Sequence, residues 1–274
     1  MNPRALIRET ARRFEALGIP DPLVDAAELL AHVLNRPPLS LRLDSESVLS
    51  PEDLEAFDSL TAMRCRRIPL QYILRTQSFL GRSFQVDERV LIPRPETEIL
   101  ALKALEFLKA GMKVLDLCCG SGCLAVTLAL ECPGAHVSAS DLSPRALEAA
   151  RENAERLGAE ITFFQGDLLL PLLGHTFDLI LSNPPYIPDG DWAGLQAEVR
   201  AEPTMALLGG TDGLDFYRRI ASQAPAFLKR GGTLLLECGD GEAPEAAGLL
   251  KNAFHGIRIH PDLQGLERVV EAHR

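Results

Sequence analysis

Val114-Leu115-Asp116-Leu117-Cys118-Cys119-Gly120-Ser121-Gly122 is the stretch that decides the fold. An apolar run of strand length leads straight into a turn with two glycines, and residues 124–130 behind it have the density of apolar side chains of a buried helix. Strand, glycine turn and helix in that order open a parallel α/β sheet. Gly120 and Gly122 let the backbone approach a ligand and turn sharply, and the helix that follows presents its N-terminus to anionic groups.

Downstream the alternation continues. Residues 136–140, 161–164, 177–181 and 233–237 read as strands, and 144–157, 214–228 and 242–254 as helices. Two last strands, 256–260 and 267–271, leave no room for a helix between them, so the parallel sheet ends in an antiparallel edge. Upstream, residues 1–70 read as helices only. Ser50-Pro51-Glu52-Asp53 is a helix start with a capping serine, proline at the first position and acids against the dipole. Short β-like runs around Leu80-Gly81-Arg82 predict a hairpin. The expected organisation is a helical domain over 1–70, a hairpin linker over 71–91 and an α/β domain over 92–274.

Composition narrows the function. With 46% hydrophobic and 24% charged residues the chain is of ordinary globular type, and no run reaches the roughly 18 apolar residues that span a bilayer. Arginines near the start are interrupted by Glu9 and Glu15, and Ile7, Ala11 and Phe14 have helix spacing, so a folded helix is expected there and not a transit peptide. Residues 1–90 carry 12 Arg and 13 acids; the remainder carries 16 bases and 25 acids. An acidic second half argues against gripping nucleic acid through its phosphates. Six cysteines without a disulfide pattern fit a reducing cytoplasm, and the spacing of Cys118, Cys119 and Cys123 matches no common zinc site, so no metal is expected.

Two cofactors compete for the glycine turn. Read as Gly120, Gly122 and Ala125 with Asp141 ending the second strand, it suits a nicotinamide dinucleotide whose ribose hydroxyls Asp141 takes. Read with Asp116 ahead of the turn, it suits S-adenosylmethionine, whose ammonium needs negative charge nearby. Asp167 and Leu168 after the third strand offer an acceptor for an adenine amino group and a surface for its ring.

Asn183-Pro184-Pro185-Tyr186 tips the balance. Two prolines fix φ twice and remove two donors, so the chain leaves the fourth strand rigid and extended. The Asn183 side-chain oxygen and the Pro184 carbonyl are left as acceptors for a planar NH2 group, with the Tyr186 ring as its platform. Hydride transfer has no use for such a corner; methylation of a planar nitrogen does.

Together with Leu91-Ile92-Pro93-Arg94-Pro95-Glu96-Thr97-Glu98 and Gly209-Gly210-Thr211-Asp212-Gly213-Leu214, this corner closely resembles the HemK-type glutamine methyltransferases that modify peptide chain release factors. The resemblance covers nearly the whole chain. It implies a Rossmann-like, class I methyltransferase sheet of seven strands with a small helical N-terminal domain; that domain's separate helical pattern and arginine-only basic content lead us to expect that it recognises the protein substrate. The resemblance implies that Gly120, Ser121, Gly122, Asp141, Asp167 and Leu168 bind S-adenosylmethionine; Asp116, Cys118, Cys119 and Asn183 are expected at the same site from their places in the sequence. Asn183, Pro184, Pro185 and Tyr186 would hold the glutamine of a Gly-Gly-Gln loop. Asn-Pro-Pro-Tyr alone is shared with enzymes that methylate amino groups of bases, which is the alternative substrate class. One departure stands out: the family usually has glycine where this chain has Cys118.

Overall fold

The computed structural model describes residues 2–274. Two compact units are present: Met1–Arg75 together with Gln196–Ala201, and Thr76–Leu195 together with Glu202–Arg274.

In the helical unit, α1 (Pro3–Ala16), α2 (Pro22–Leu34), α3 (Pro38–Leu43), α4 (Pro51–Cys65) and α5 (Leu70–Leu74) bury Ile7, Phe14, Leu30, Leu41 and Phe57 in one core. The expected capping box forms at α4: the Ser50 hydroxyl accepts from Asp53 N at 3.0 Å while Asp53 receives Ser50 N. The segment that joins this unit from the far half of the chain carries a short helix, Ala197–Arg200. Its Glu198 accepts from Arg64 at 2.7 Å and from Arg67 at 2.6 Å, and Arg64 also donates to Asp25 at 2.7 Å. Burial pushes the Glu198 carboxyl up, but the two guanidiniums outweigh it and hold it at about 2.

In the α/β unit, β1 (Thr76–Phe79) and β2 (Arg82–Gln85) form the expected hairpin. Leu80 and Gly81 both have positive φ, 44° and 74°, as a tight turn of that hand requires. The hairpin is shorter than the β-like run, because residues 70–74 wind into α5 before Arg75, itself at φ 59°, ends it.

Beyond α6 (Thr97–Phe107) come β3 (Lys113–Leu117), α7 (Cys123–Glu131), β4 (His136–Asp141), α8 (Pro144–Leu157), β5 (Thr162–Gln165) and β6 (Phe177–Ser182). Counting the short helix Ala197–Arg200 as α9, the chain closes with α10 (Asp215–Phe227), β7 (Leu228–Glu237), α11 (Ala243–Leu250), β8 (His255–Pro261) and β9 (Glu267–His273). The sheet has seven strands in the order β5-β4-β3-β6-β7-β9-β8. The first five are parallel; β9 runs antiparallel to both β7 and β8.

Leu115, Ile180, Leu234 and Val270 sit in one core with α10 and α11, and Val114, Leu179, Leu235 and Val269 in another with α6, α7 and α8. Neighbouring residues of one strand alternate between the two cores, so the sheet is buried on both faces, which is why its strands read as unbroken apolar runs. Strand order reverses between β3 and β6, the switch point at which open α/β sheets hold ligands.

Two boundaries differ from expectation. β7 starts five residues early, through a register shift eased by Gly231 at φ 77°. α11 stops at Leu250, with 251–253 forming a turn.

Candidate active site

Four loops at the carboxyl edge of the sheet surround a cavity of about 250 Å³. They follow β3, β4, β5 and β6, and they bring Cys118, Cys119, Gly120, Ser121, Asp141, Asp167, Leu168, Asn183 and Pro185 into its wall. Asp116, Gly122, Pro184 and Tyr186 lie outside that wall.

Local geometry explains these placements. Gly122 caps α7 at φ 77°, and a Cβ there would meet Ala150 Cβ of α8 at 3.0 Å, so both conformation and space call for glycine. Gly120, at φ 51°, donates its N–H to Asp141 Oδ2 at 2.9 Å, and Ser143 N donates to Asp141 Oδ1 at 2.9 Å. Asp141 is thereby fixed at the tip of β4 with lone pairs left for a ligand. Burial raises its carboxyl, and the backbone donors oppose the rise.

Asp116 is fully buried under the turn. Its Oδ2 accepts from Ala125 N at 3.0 Å, completing the first turn of α7, while its Oδ1 has no partner. Burial moves this carboxyl up to about 7.

Cys118 occupies the left-handed region, φ 63°, where a Cβ is disfavoured. This is the physical content of the glycine expected at that position. Burial pushes the thiols of Cys118, Cys119 and Cys123 up, which leaves them protonated, and among the described residues no cluster suited to a metal is found.

The Asn-Pro-Pro-Tyr corner is anchored just beyond its end by an isolated bridge. Ile187 bridges to Leu208 in parallel, with Ile187 N donating to Leu207 O and Gly209 N to Ile187 O, both at 2.9 Å. A Cβ on Gly209 would stand 2.7 Å from Tyr186 Cα, and one on Gly213 would stand 2.3 Å from Tyr186 O. Gly209 and Gly213 therefore leave room for the backbone of Tyr186, while a Cβ on Gly210 would meet the side chain of Asp215.

Asn183 Nδ2 donates to Thr97 Oγ1 at 3.2 Å. Among the described residues nothing donates to its Oδ1, and the Pro184 carbonyl likewise accepts no hydrogen bond. The two acceptors expected from the sequence are thus both open.

One wall residue, a buried acid near the wall and one ion-pair partner escape a reading of the sequence. Phe216, two residues into α10, is indistinguishable by spacing from a core residue. Glu202 lies in a stretch with no recognisable pattern, yet it is buried, accepts from Ile92 N at 2.9 Å and pairs with Arg94. Asp167 is ion-paired with Arg219 at 2.5 Å, a partner that the sequence gives no hint of.

The residues fit S-adenosylmethionine. The cavity combines an apolar wall of Leu168 and Phe216 with the carboxylates of Asp141 and Asp167 and a glycine turn, and Asp116, outside the wall, lies beneath that turn with one oxygen unpartnered. Among the described residues no helix is long and apolar enough to cross a membrane.

Comparison with known proteins is consistent along the chain. Residues 97–198 match the methyltransferase small domain family and residues 5–74 the PrmC N-terminal domain family. A release factor glutamine methyltransferase of Geobacter sulfurreducens is 44% identical over 92% of this chain and 90% of its own. One of Deinococcus radiodurans is 43% identical over 100% of this chain and 99% of its own. Among solved structures, a methyltransferase from Pyrococcus furiosus superposes with a TM-score of 0.54 at 19% identity, over 72% of this chain and 90% of its own. A 16S rRNA N2 G1207 methyltransferase of T. Thermophilus, in complex with AdoMet and guanosine, gives 0.50 at 20% identity over 73% and 49%. At such identities these two likenesses speak for the fold alone.

Proposed function

The chain belongs to the release factor glutamine methyltransferase family, and from that premise we propose that it methylates the side-chain amide nitrogen of the glutamine in the Gly-Gly-Gln loop of peptide chain release factors. The observation that carries the proposal is the pair of open acceptors, Asn183 Oδ1 and Pro184 O, at the end of β6 beside the cavity. S-adenosylmethionine, when bound, supplies an electrophilic methyl group on a sulfonium.

The chain's own residues supply the rest. An amide nitrogen is a poor nucleophile because its lone pair is delocalised into the carbonyl. Accepting both N–H bonds aims that nitrogen and favours the positive charge that develops on it. Tyr186 offers a flat surface for the amide, and its hydroxyl stays protonated because burial raises it. Asp141 takes the ribose hydroxyls, Phe216 and Leu168 enclose the adenine, and Asp116 provides negative charge beneath the turn. The substrate is protein and not nucleic acid, in keeping with a net charge of −10, and the release factors place the reaction in the cytoplasm.

The helical unit, residues 1–70 in the sequence reading, is assigned to recognition of the release factor; its match to the PrmC N-terminal domain family supports this.

Labelled S-adenosylmethionine with purified release factor or with RNA tests the substrate class; label appearing only in RNA overturns it. Asn183→Ala should lose roughly a hundredfold in turnover, on the order of 3 kcal/mol. Asn183→Asp keeps an acceptor and partial activity, and Asn183→Leu keeps almost none. Wild-type turnover in Asn183→Leu would remove the amide-gripping role.

A further inference from the structure

We propose that Arg94, clamped from behind by the buried Glu202, receives the carboxylate of the amino-acid head of S-adenosylmethionine. This rests on the placing of S-adenosylmethionine in the cavity described above.

The sequence stiffens Arg94 before any side chain packs. Pro93 fixes the φ ahead of it, and Pro95 confines the backbone of Arg94 itself to extended conformations. Glu202 then fixes the side chain. This acid is 4% exposed; its Oε2 accepts from Ile92 N at 2.9 Å and its Oε1 from Arg94 Nη2. A guanidinium donates from every nitrogen, yet among the described residues Arg94 Nε and Nη1 make no hydrogen bond. The side chain is 30% exposed and stands in the cavity wall.

Stability alone does not account for the pair. A buried ion pair is often no better than apolar residues of the same volume, and this one satisfies only one side of its arginine.

Charge singles the residue out. The cations of the wall are Arg89 and Arg94. Arg89 is fully committed, with Nε, Nη1 and Nη2 all bonded to Asp87 or Glu152. Asp141 and Asp167 line the same wall and Asp116 lies beneath it. A carboxylate entering among these acids needs a cation, and Arg94 is the one with donors to give.

Its place in the fold suits that task. A sulfonium has three arms. With the ribose arm at Asp141 and the methyl turned to Asn183, the amino-acid arm is left to the wall of Pro93, Arg94 and Thr97 and to the glycine turn. Arg94 adjoins the Asn183 corner, since its carbonyl accepts from Thr97 N at 3.1 Å and Thr97 Oγ1 accepts from Asn183 Nδ2 at 3.2 Å. The two charges of the head are thus answered separately, the ammonium by Asp116 under the turn and the carboxylate by Arg94.

Calorimetry on the full chain tests this with three ligands: S-adenosylmethionine, its decarboxylated form, and methylthioadenosine, which lacks the whole head. The wild type should bind the decarboxylated form at least about tenfold more weakly than S-adenosylmethionine. In Arg94→Gln that ratio should fall below about threefold, while methylthioadenosine binds within about twofold of its wild-type affinity. The ratio is taken within one protein, so general damage to the fold cancels. The double substitution Arg94→Gln, Glu202→Gln removes the buried acid together with its partner and should give the same low ratio.

An unchanged ratio in Arg94→Gln overturns the assignment. If that unchanged ratio comes with a raised KM for the release factor, the free donors serve carbonyl groups of the substrate loop instead. A wild type that binds none of the three ligands would remove the cofactor from this cavity, and the role of Arg94 with it.

Discussion

Asp116→Asn should stabilise the protein at alkaline pH and weaken its hold on the cofactor, and the two effects can be measured apart. Burial raises the Asp116 carboxyl from 3.8 to about 7, against the Ala125 N–H that lowers it and with the charge of Asp141 adding to the rise. Between those values the folded protein keeps a proton that the unfolded chain has released. The stability contributed by this group is therefore fully present below 3.8 and is lost as the pH climbs through 7. At full ionisation a rise of that size corresponds to on the order of 4 kcal/mol.

Asparagine keeps an acceptor for Ala125 N and cannot ionise, but its NH2 is left without a partner, an offset of about 1–3 kcal/mol that does not vary with pH. The difference between two pH values removes that offset. Linkage gives about 1.4 kcal/mol more benefit from the substitution at pH 8 than at pH 6, or roughly 3–6 °C in Tm. Glu237 and Glu242, which burial also moves to about 7, titrate in both proteins and cancel. Thermal unfolding of wild type and variant at the two pH values is the assay. On the role proposed for Asp116, calorimetry with S-adenosylmethionine should show about tenfold weaker binding by the variant. A Tm difference that is the same at pH 6 and pH 8 would refute the reasoning about burial.

Two further outcomes follow from backbone geometry. Cys118→Gly should change stability by less than about 1 kcal/mol, relief of the left-handed conformation being offset by chain entropy, whereas Cys118→Val should destabilise by about 2 kcal/mol; urea unfolding distinguishes them, and equal losses would remove φ as the cause. Gly213→Ala places a Cβ against the Tyr186 carbonyl at φ 79°, so it should reduce release-factor methylation at least about tenfold while S-adenosylmethionine affinity stays within about twofold; an equal loss of both would mean that the damage spreads beyond the target corner.

The sheet was readable in advance because its strands are buried on both faces and its helices on one, so hydropathy runs and spacing coincide with the elements. Asp116 to Gly122, Asp141 and the Asn183 corner were readable because each combines an unusual residue type with a strand end. Arg219, Glu202 and Phe216 were not, since what makes them matter is a partner far along the chain: 52 residues separate Arg219 from Asp167 and 108 separate Arg94 from Glu202. Thr97 sat in plain view inside a motif, but its meaning depends on Asn183, 86 residues away. The α5 helix was hidden by β-branched and aromatic residues whose local preference gave way to packing of Tyr72 and Ile73.

The ion cluster of the helical unit has a consequence for how the protein is made. Arg64 and Arg67 leave the ribosome about 130 residues ahead of Glu198, the acid that both require. At ordinary rates of synthesis that gap lasts roughly 10 s, far longer than helices take to form. Within the first 75 residues Arg64 has Asp25 as its acid partner and the Ile68 carbonyl as a further acceptor, so the carboxylate of Glu198 is what it lacks. The ion cluster of the first unit thus waits for the stretch that follows the Asn183 corner, and a chain interrupted before residue 198 lacks an acid of its N-terminal unit as well as the end of its sheet.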